Sequence, residues 1–137
     1  MTTNGAADGK PRRIAGNILI SLLGLVLVAS GAAKFAHVPK VVEQMGLVGI
    51  EGWRLTFVAF LEVSSAILFL IPLTRSLGLL LVSAFLGGAV ATHLEHGLPF
   101  IQPAIFLALL WLGALLRHPQ ILWSSGTTAA PSSIPAK

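Results

Sequence analysis

The chain contains no cysteine, and charged residues make up only 10% of it, where a soluble domain carries about 25%. Without cysteine there is no disulfide, no thiol nucleophile, no iron–sulfur ligation and no dithiol relay, which excludes membrane oxidoreductases that pass electrons through cysteine pairs. So little charge means that water is not the main solvent of this chain. A glycine-rich phosphate loop is also missing: half of the glycines fall inside apolar runs, where close helix packing accounts for them, and nothing indicates a nucleotide. The net charge of +4 does not point to nucleic acid, because the positive residues are scattered beside apolar segments and read as topology signals.

What the chain has instead is apolar length. Hydrophobic residues make up 55% of its 137 positions, concentrated in four runs. Ile14 to Ala33, Ser76 to Thr92 and Phe100 to Leu116 carry no Asp, Glu, Lys or Arg, and Leu55 to Leu73 carries only Glu62. All four are long enough, against the roughly 17 to 25 helical residues that cross a bilayer. A soluble bundle of four helices would need polar outer faces, and these runs are apolar all round. The expected class is an all-α membrane protein, with spans at 14–33, 54–73, 76–95 and 100–117 in a domain covering 14–119.

Short connections at "IPLTRS" and "LEHGLPF", with Pro72, Gly97 and Pro99 as breakers, predict antiparallel neighbours and an up-down four-helix bundle. "KPRR" directly before the first run holds the N-terminus in the cytoplasm by the positive-inside rule. Counting crossings from there places six Lys/Arg inside and three (Lys34, Lys40, Arg54) outside, with both termini cytoplasmic. Residues 1–13 and 120–137 are small and polar in large part and are expected to be flexible tails. A rival reading of the start is a cleaved signal peptide, with "VASGAA" as its small-residue site, but the apolar run is longer than the usual signal core. Between the first two runs, Val38, Val41, Val42 and Met45 follow helical spacing after Pro39, with Lys40, Glu43 and Gln44 opposite. This predicts a short amphipathic helix on the outer membrane face, a lid over that end of the bundle, with Trp53 as an interfacial anchor.

The candidate site follows from Glu62. It lies about 8 residues below the outer end of its run, roughly 12 Å at 1.5 Å per residue. An ionised carboxylate facing lipid there costs on the order of 3 kcal/mol, so it should face the bundle interior. Val58, Ala59, Ser65 and Ala66 share its face and admit a close neighbour, and Ala84, Gly87, Gly88, Ala91 and Thr92 offer a matching small-residue band on the third run. Lys34 ends the first run on the same side, one turn after Ser30, and Thr92 and His93 arrive at the outer end of the third. Glu62, Lys34, Ser30, Thr92 and His93 are therefore expected to converge in one polar pocket under the lid. Two readings of the Lys34–Glu62 pair stand side by side: a pocket that binds something, and an ion pair that only fixes helix register. For His93 the alternative to function is a helix cap. His37 is assigned to the lid, and Glu95 and His96 to solvent. No metal site is expected, since His118 lies on the opposite side and the His93/His96 spacing is weak support by itself; no mid-span histidine pair offers haem a seat.

The order of "SGAAKF", "VPKVVEQMGLVG", "FLEVSSAILFLIPLTRSLG", "GGAVATHLEHG" and "LLWLGALLRHP" resembles the DoxX-like family of small bacterial membrane proteins over about Ile14 to Pro119. The resemblance implies a four-helix inner-membrane protein with Lys34, Glu62 and His93 at the matching polar positions. It also implies, for some relatives, quinone-linked oxidation of sulfur compounds or a place in membrane redox complexes. The leading expectation is an accessory or quinone-interacting subunit, without a cofactor of its own and not an enzyme by itself, its electrons travelling through a bound quinone or redox partner subunits. The alternatives are a small-solute transporter acting as a homo-oligomer and a purely structural scaffold.

Overall fold

The computed structural model describes residues 9–118. Five helices account for most of them, α1 (Gly9–Phe35), α2 (Pro39–Gly46), α3 (Trp53–Leu70), α4 (Arg75–Glu95) and α5 (Ile101–Arg117), and none of the described residues forms a strand. α1, α3 and α4 are long and apolar enough to cross a membrane. α5 is apolar with 17 residues, at the lower edge of what a bilayer core requires. Phe60, Leu22, Leu80 and Ile105 point out of the bundle, as expected where hydrocarbon takes the place of water.

The helix ends follow local chemistry. α1 begins before the apolar run, so residues 9–13, expected to belong to a tail, form its first turns; Pro11 fits there because the first N–H groups of a helix have no intrahelical partner. The rest of the two expected tails, residues 1–8 and 120–137, lies outside the described residues. α3 stops at Leu70, short of the expected 73, because Ile71 precedes Pro72 and is extended (φ −72°, ψ 121°). The freed carbonyls are not left bare: Thr74 Oγ1 donates to Leu68 O at 2.9 Å, and Arg75 donates to Phe69 O and Leu70 O, each at 3.2 Å. α4 ends through Gly97 in the left-handed region (φ 66°), with the Leu98 N–H donating to His93 O at 2.8 Å. α1 ends in the same way with His37 (φ 50°) where glycine is usual, and the Val38 N–H donates to Ala33 O at 3.1 Å.

α1 packs against α3 and α5, and α4 packs against the same two helices, so the four long helices close a ring. α1 and α3 run antiparallel: Gly31 lies against Ala59 and Val63, and Gly24, two turns earlier, lies against Leu70. Gly16 lies against Gly113 and Leu116, giving the same relation between α1 and α5. The apolar core gathers Ile20, Leu23 and Leu27 of α1, Phe69 of α3, Val82 of α4 and Leu110 of α5, with further buried neighbours. Most of these residues come from the half of the ring where α1 and α4 begin and α3 and α5 end, with Leu27 at its border with the other half. The opposite half is hollow.

That asymmetry corrects one expectation. The small-residue band of α4 is not the surface that meets α3: a Cβ at Gly87 or Gly88 would touch nothing within 4 Å. α3 and α4 instead approach most closely at Gly78, where an added Cβ would collide with the backbone of Leu68 and Phe69. The small face of α3 is used by α1, at Gly31. Accordingly, Gly78→Ala should lower the unfolding midpoint in detergent by the equivalent of about 1–3 kcal/mol, the usual cost of overpacking. Gly87→Ala should be neutral or stabilising by up to about 1 kcal/mol through helix propensity. Equal effects of the two changes would contradict this assignment of the close contact.

Candidate functional site

Glu62 stands nine residues after Trp53 on α3, about 14 Å along the helix. Its neighbours on the same face, Ala59, Ser65 and Ala66, are buried, and so is Glu62 at 3% exposure. Lys34 reaches it from the last turn of α1 and is 6% exposed. Gly31, one turn before Lys34, has no side chain and lets α1 close onto Ala59 and Val63; this approach brings the two charges within reach. Lys34 Nζ donates to Glu62 Oε2 at 2.6 Å and to Ser30 Oγ at 2.8 Å.

The pair is not sealed. An ammonium has three N–H donors, and two of Lys34's are accounted for. No buried side-chain nitrogen or oxygen among the described residues lacks a partner. Glu62 Oε1, which no described donor reaches, therefore retains accessible surface. That surface faces a cavity of about 580 Å³ in the hollow half of the ring. Ser30, Lys34, Glu62, Thr92 and His93 all line it, so the five residues singled out from the sequence share one wall system. Only Lys34, Glu62 and Ser30 bond to one another. Thr92 Oγ1 donates to Gly88 O at 2.9 Å, and His93 Nδ1 lies 2.8 Å from Ala89 O. A carbonyl only accepts, so Nδ1 carries a proton and Nε2 is left as the acceptor of the neutral ring.

Most of the lining is apolar, with Leu27, Val58, Phe85, Leu86 and Phe106 among it, and Val41, Met45 and Val48 border it from the α2 segment. α2 has no fully buried residue, so it covers the cavity without being locked into the core. Two polar lining residues escaped the sequence reading. Gln44 faces the cavity although the helical wheel set it with Lys40 and Glu43, and Gln102 enters from the first turn of α5. The depth argument applied to His93 would have found Gln102, a lone amide beside an apolar run at the same end. Glu95, His96 and His37 are exposed. No group of three or more His, Asp or Glu side chains gathers among the described residues.

A paired buried charge is costly to leave alone, while a matched apolar replacement of both partners is often neutral. Lys34→Met or Glu62→Met alone should therefore destabilise by about 3–5 kcal/mol. The double change should recover most of that in a thermal or denaturant titration. Additive losses in the double variant would show that the pair is not a coupled unit.

No curated protein and no solved structure matches the chain. The model of one family, described as DoxX-like, matches residues 18–115, a stretch that includes Ser30, Lys34, Glu62, Thr92 and His93. With well over half its length matched and its helices apolar enough to span a bilayer, the chain belongs to the DoxX-like family as a helical membrane protein.

Proposed function

We propose that the protein crosses a bacterial inner membrane four times as an up-down bundle with both termini in the cytoplasm. In this reading it holds a small amphiphilic ligand, best matched by a quinone, as an accessory subunit of a membrane redox system. The observation that carries the reading is the 580 Å³ cavity, apolar over most of its wall and bordered by a buried ion pair whose hydrogen-bonding capacity is only partly used. Its volume lies within the roughly 300–1,000 Å³ of small-molecule sites, and a few placed polar groups in an apolar pocket are what such sites use for orientation. The topology is supported by the antiparallel packing of α1 with α3 and α5 and by the Lys/Arg distribution.

The donor set suits a quinone. The remaining Lys34 N–H can donate to a ring carbonyl, while Glu62 Oε1 and His93 Nε2 can accept from a hydroxyl. Lys34, braced by Ser30, holds the carboxylate in place, and the Val41, Met45 and Val48 surface keeps water from the apolar part of the site. A quinone, when bound, supplies two-electron, two-proton carrier chemistry within the bilayer. The chain has no cysteine, so any thiol relay or cysteine-held cluster feeding the quinone belongs to a partner subunit. The expected assembly includes such a partner, with the bilayer as solvent.

Binding of a short-chain ubiquinone analogue to the purified full-length protein tests the reading. Glu62→Gln should weaken binding about ten-fold or more, the scale of a hydrogen bond to a charged group. Gly88→Leu places a side chain into the cavity away from the pair, and should abolish binding while leaving the melting temperature near that of the parent. Analogue binding unchanged by Gly88→Leu would remove the cavity as a ligand site and leave the ion pair with a structural role only.

A further inference from the structure

The solid end of the bundle carries a second feature that the cavity reading does not use. α4 starts there at Arg75 and α5 finishes there at Arg117, and a cleft of about 90 Å³ between them is bordered by Pro72, Arg75, Ser76, Arg117 and His118. Both arginine side chains border this one cleft, so two like charges share it. Arg12, from the first turns of α1, adds a third as it donates to Leu116 O at 3.1 Å, and Lys10 and Arg13 are exposed beside it on α1.

Nothing acidic among the described residues balances these charges. The chain has five acidic residues. Glu43 is on α2, Glu51 precedes α3, Glu62 is paired with Lys34 and Glu95 ends α4, all toward the cavity half; Asp8 lies outside the described residues. Part of the donor capacity at the cleft is spent on structure. Arg75 caps the last carbonyls of α3 through Nε and Nη2, and Arg117 donates from Nε to His118 Nε2 and from Nη1 to Asn17 Oδ1. Each guanidinium has five N–H groups, so each retains three beyond these bonds.

We propose that the Arg75–Arg117 cleft binds a phosphate group. Two guanidinium groups bordering one small cleft, whose other walls (Ile20, Phe69, Leu79 and Ala114) are apolar, match the several acceptor oxygens of a phosphate, which arginine recognises better than lysine does. A cleft of about 90 Å³ has room for one phosphate group. Two sources share this chemistry. One is the headgroup of an anionic phospholipid at the bilayer surface, where Pro72 and the exposed Leu73 and Leu77 would meet the lipid; the other is a free phosphate ester. Bound phosphate relieves the repulsion between the arginines and ties α3, α4 and α5 together at the end opposite the cavity.

Native mass spectrometry of the full-length protein in detergent, offered equal amounts of phosphatidylglycerol and phosphatidylcholine, tests the proposal, with glycerol 3-phosphate as a soluble probe in a parallel titration. Retention of phosphatidylglycerol over phosphatidylcholine should fall about five-fold in Arg117→Gln, the scale of one basic residue at a lipid surface. Ser76→Glu supplies a tethered carboxylate in the first turn of α4, where it favours the helix, and leaves every arginine cap intact. It should abolish the preference with no loss of thermal stability. A preference that resists competition by glycerol 3-phosphate identifies the lipid as the source. Glycerol 3-phosphate binding that is lost in Ser76→Glu, without a lipid preference, identifies the free ester. Equal retention of the two lipids with no glycerol 3-phosphate binding, or a preference that survives both substitutions, overturns the proposal.

Discussion

Lys34 and Glu62 are two charges in a part of the chain where almost nothing else is polar, and each makes the other tolerable. Their attraction does not make the bundle much more stable than a well-packed apolar pair would, because taking both from water costs about what they regain. What the pair contributes is selection. Among the ways α1 can slide or rotate on α3, those that separate the ammonium from the carboxylate leave a bare charge in an apolar region, so one register remains. Gly31 makes that register reachable by removing the side chain that would hold the helices apart. Ser30 takes up a second donor of the ammonium, so the pair is braced from its own helix as well.

From that register follows the division of the bundle into a packed half and a hollow half. Toward the start of α1, large aliphatic and aromatic side chains interlock and glycines at 16, 78 and 113 bring backbones together. Beyond Leu86, α4 turns to small residues that reach no partner, while α5 enters through Pro99 and Pro103, and the volume between them stays open. The ion pair borders this space, so one interaction both aligns α1 with α3 and supplies the polar edge of the cavity. α2 and the following residues roof it with apolar contacts that bury none of α2 fully. The molecule thus joins a rigid base to a pocket with a lightly held cover.

Charge is divided along the same axis. All four glutamates belong to the cavity half, while the other end gathers arginines whose bonds go mainly to helix-terminal carbonyls. At the α3–α4 turn those bonds let the connection be short, because Arg75 of the next helix satisfies carbonyls that the turn exposes. They also concentrate unneutralised positive charge where a bilayer surface would lie.

Much of this was legible in the chain alone. A glutamate in an apolar run has to turn inward, and a lysine closing the preceding run at matching depth is its natural partner; run length, Pro72 and Gly97 set the helix ends to within a few residues. Helical spacing specifies the face a residue occupies, and Glu62 does face inward, where Lys34 bonds it and Ser30. It does not specify which neighbour approaches that face. The α4 glycines therefore read as a packing surface although they border empty space, and Arg75 and Arg117 read only as topology signals. Only the tertiary structure decided these, because whether a small residue admits a helix or leaves a void depends on what three other helices place opposite it.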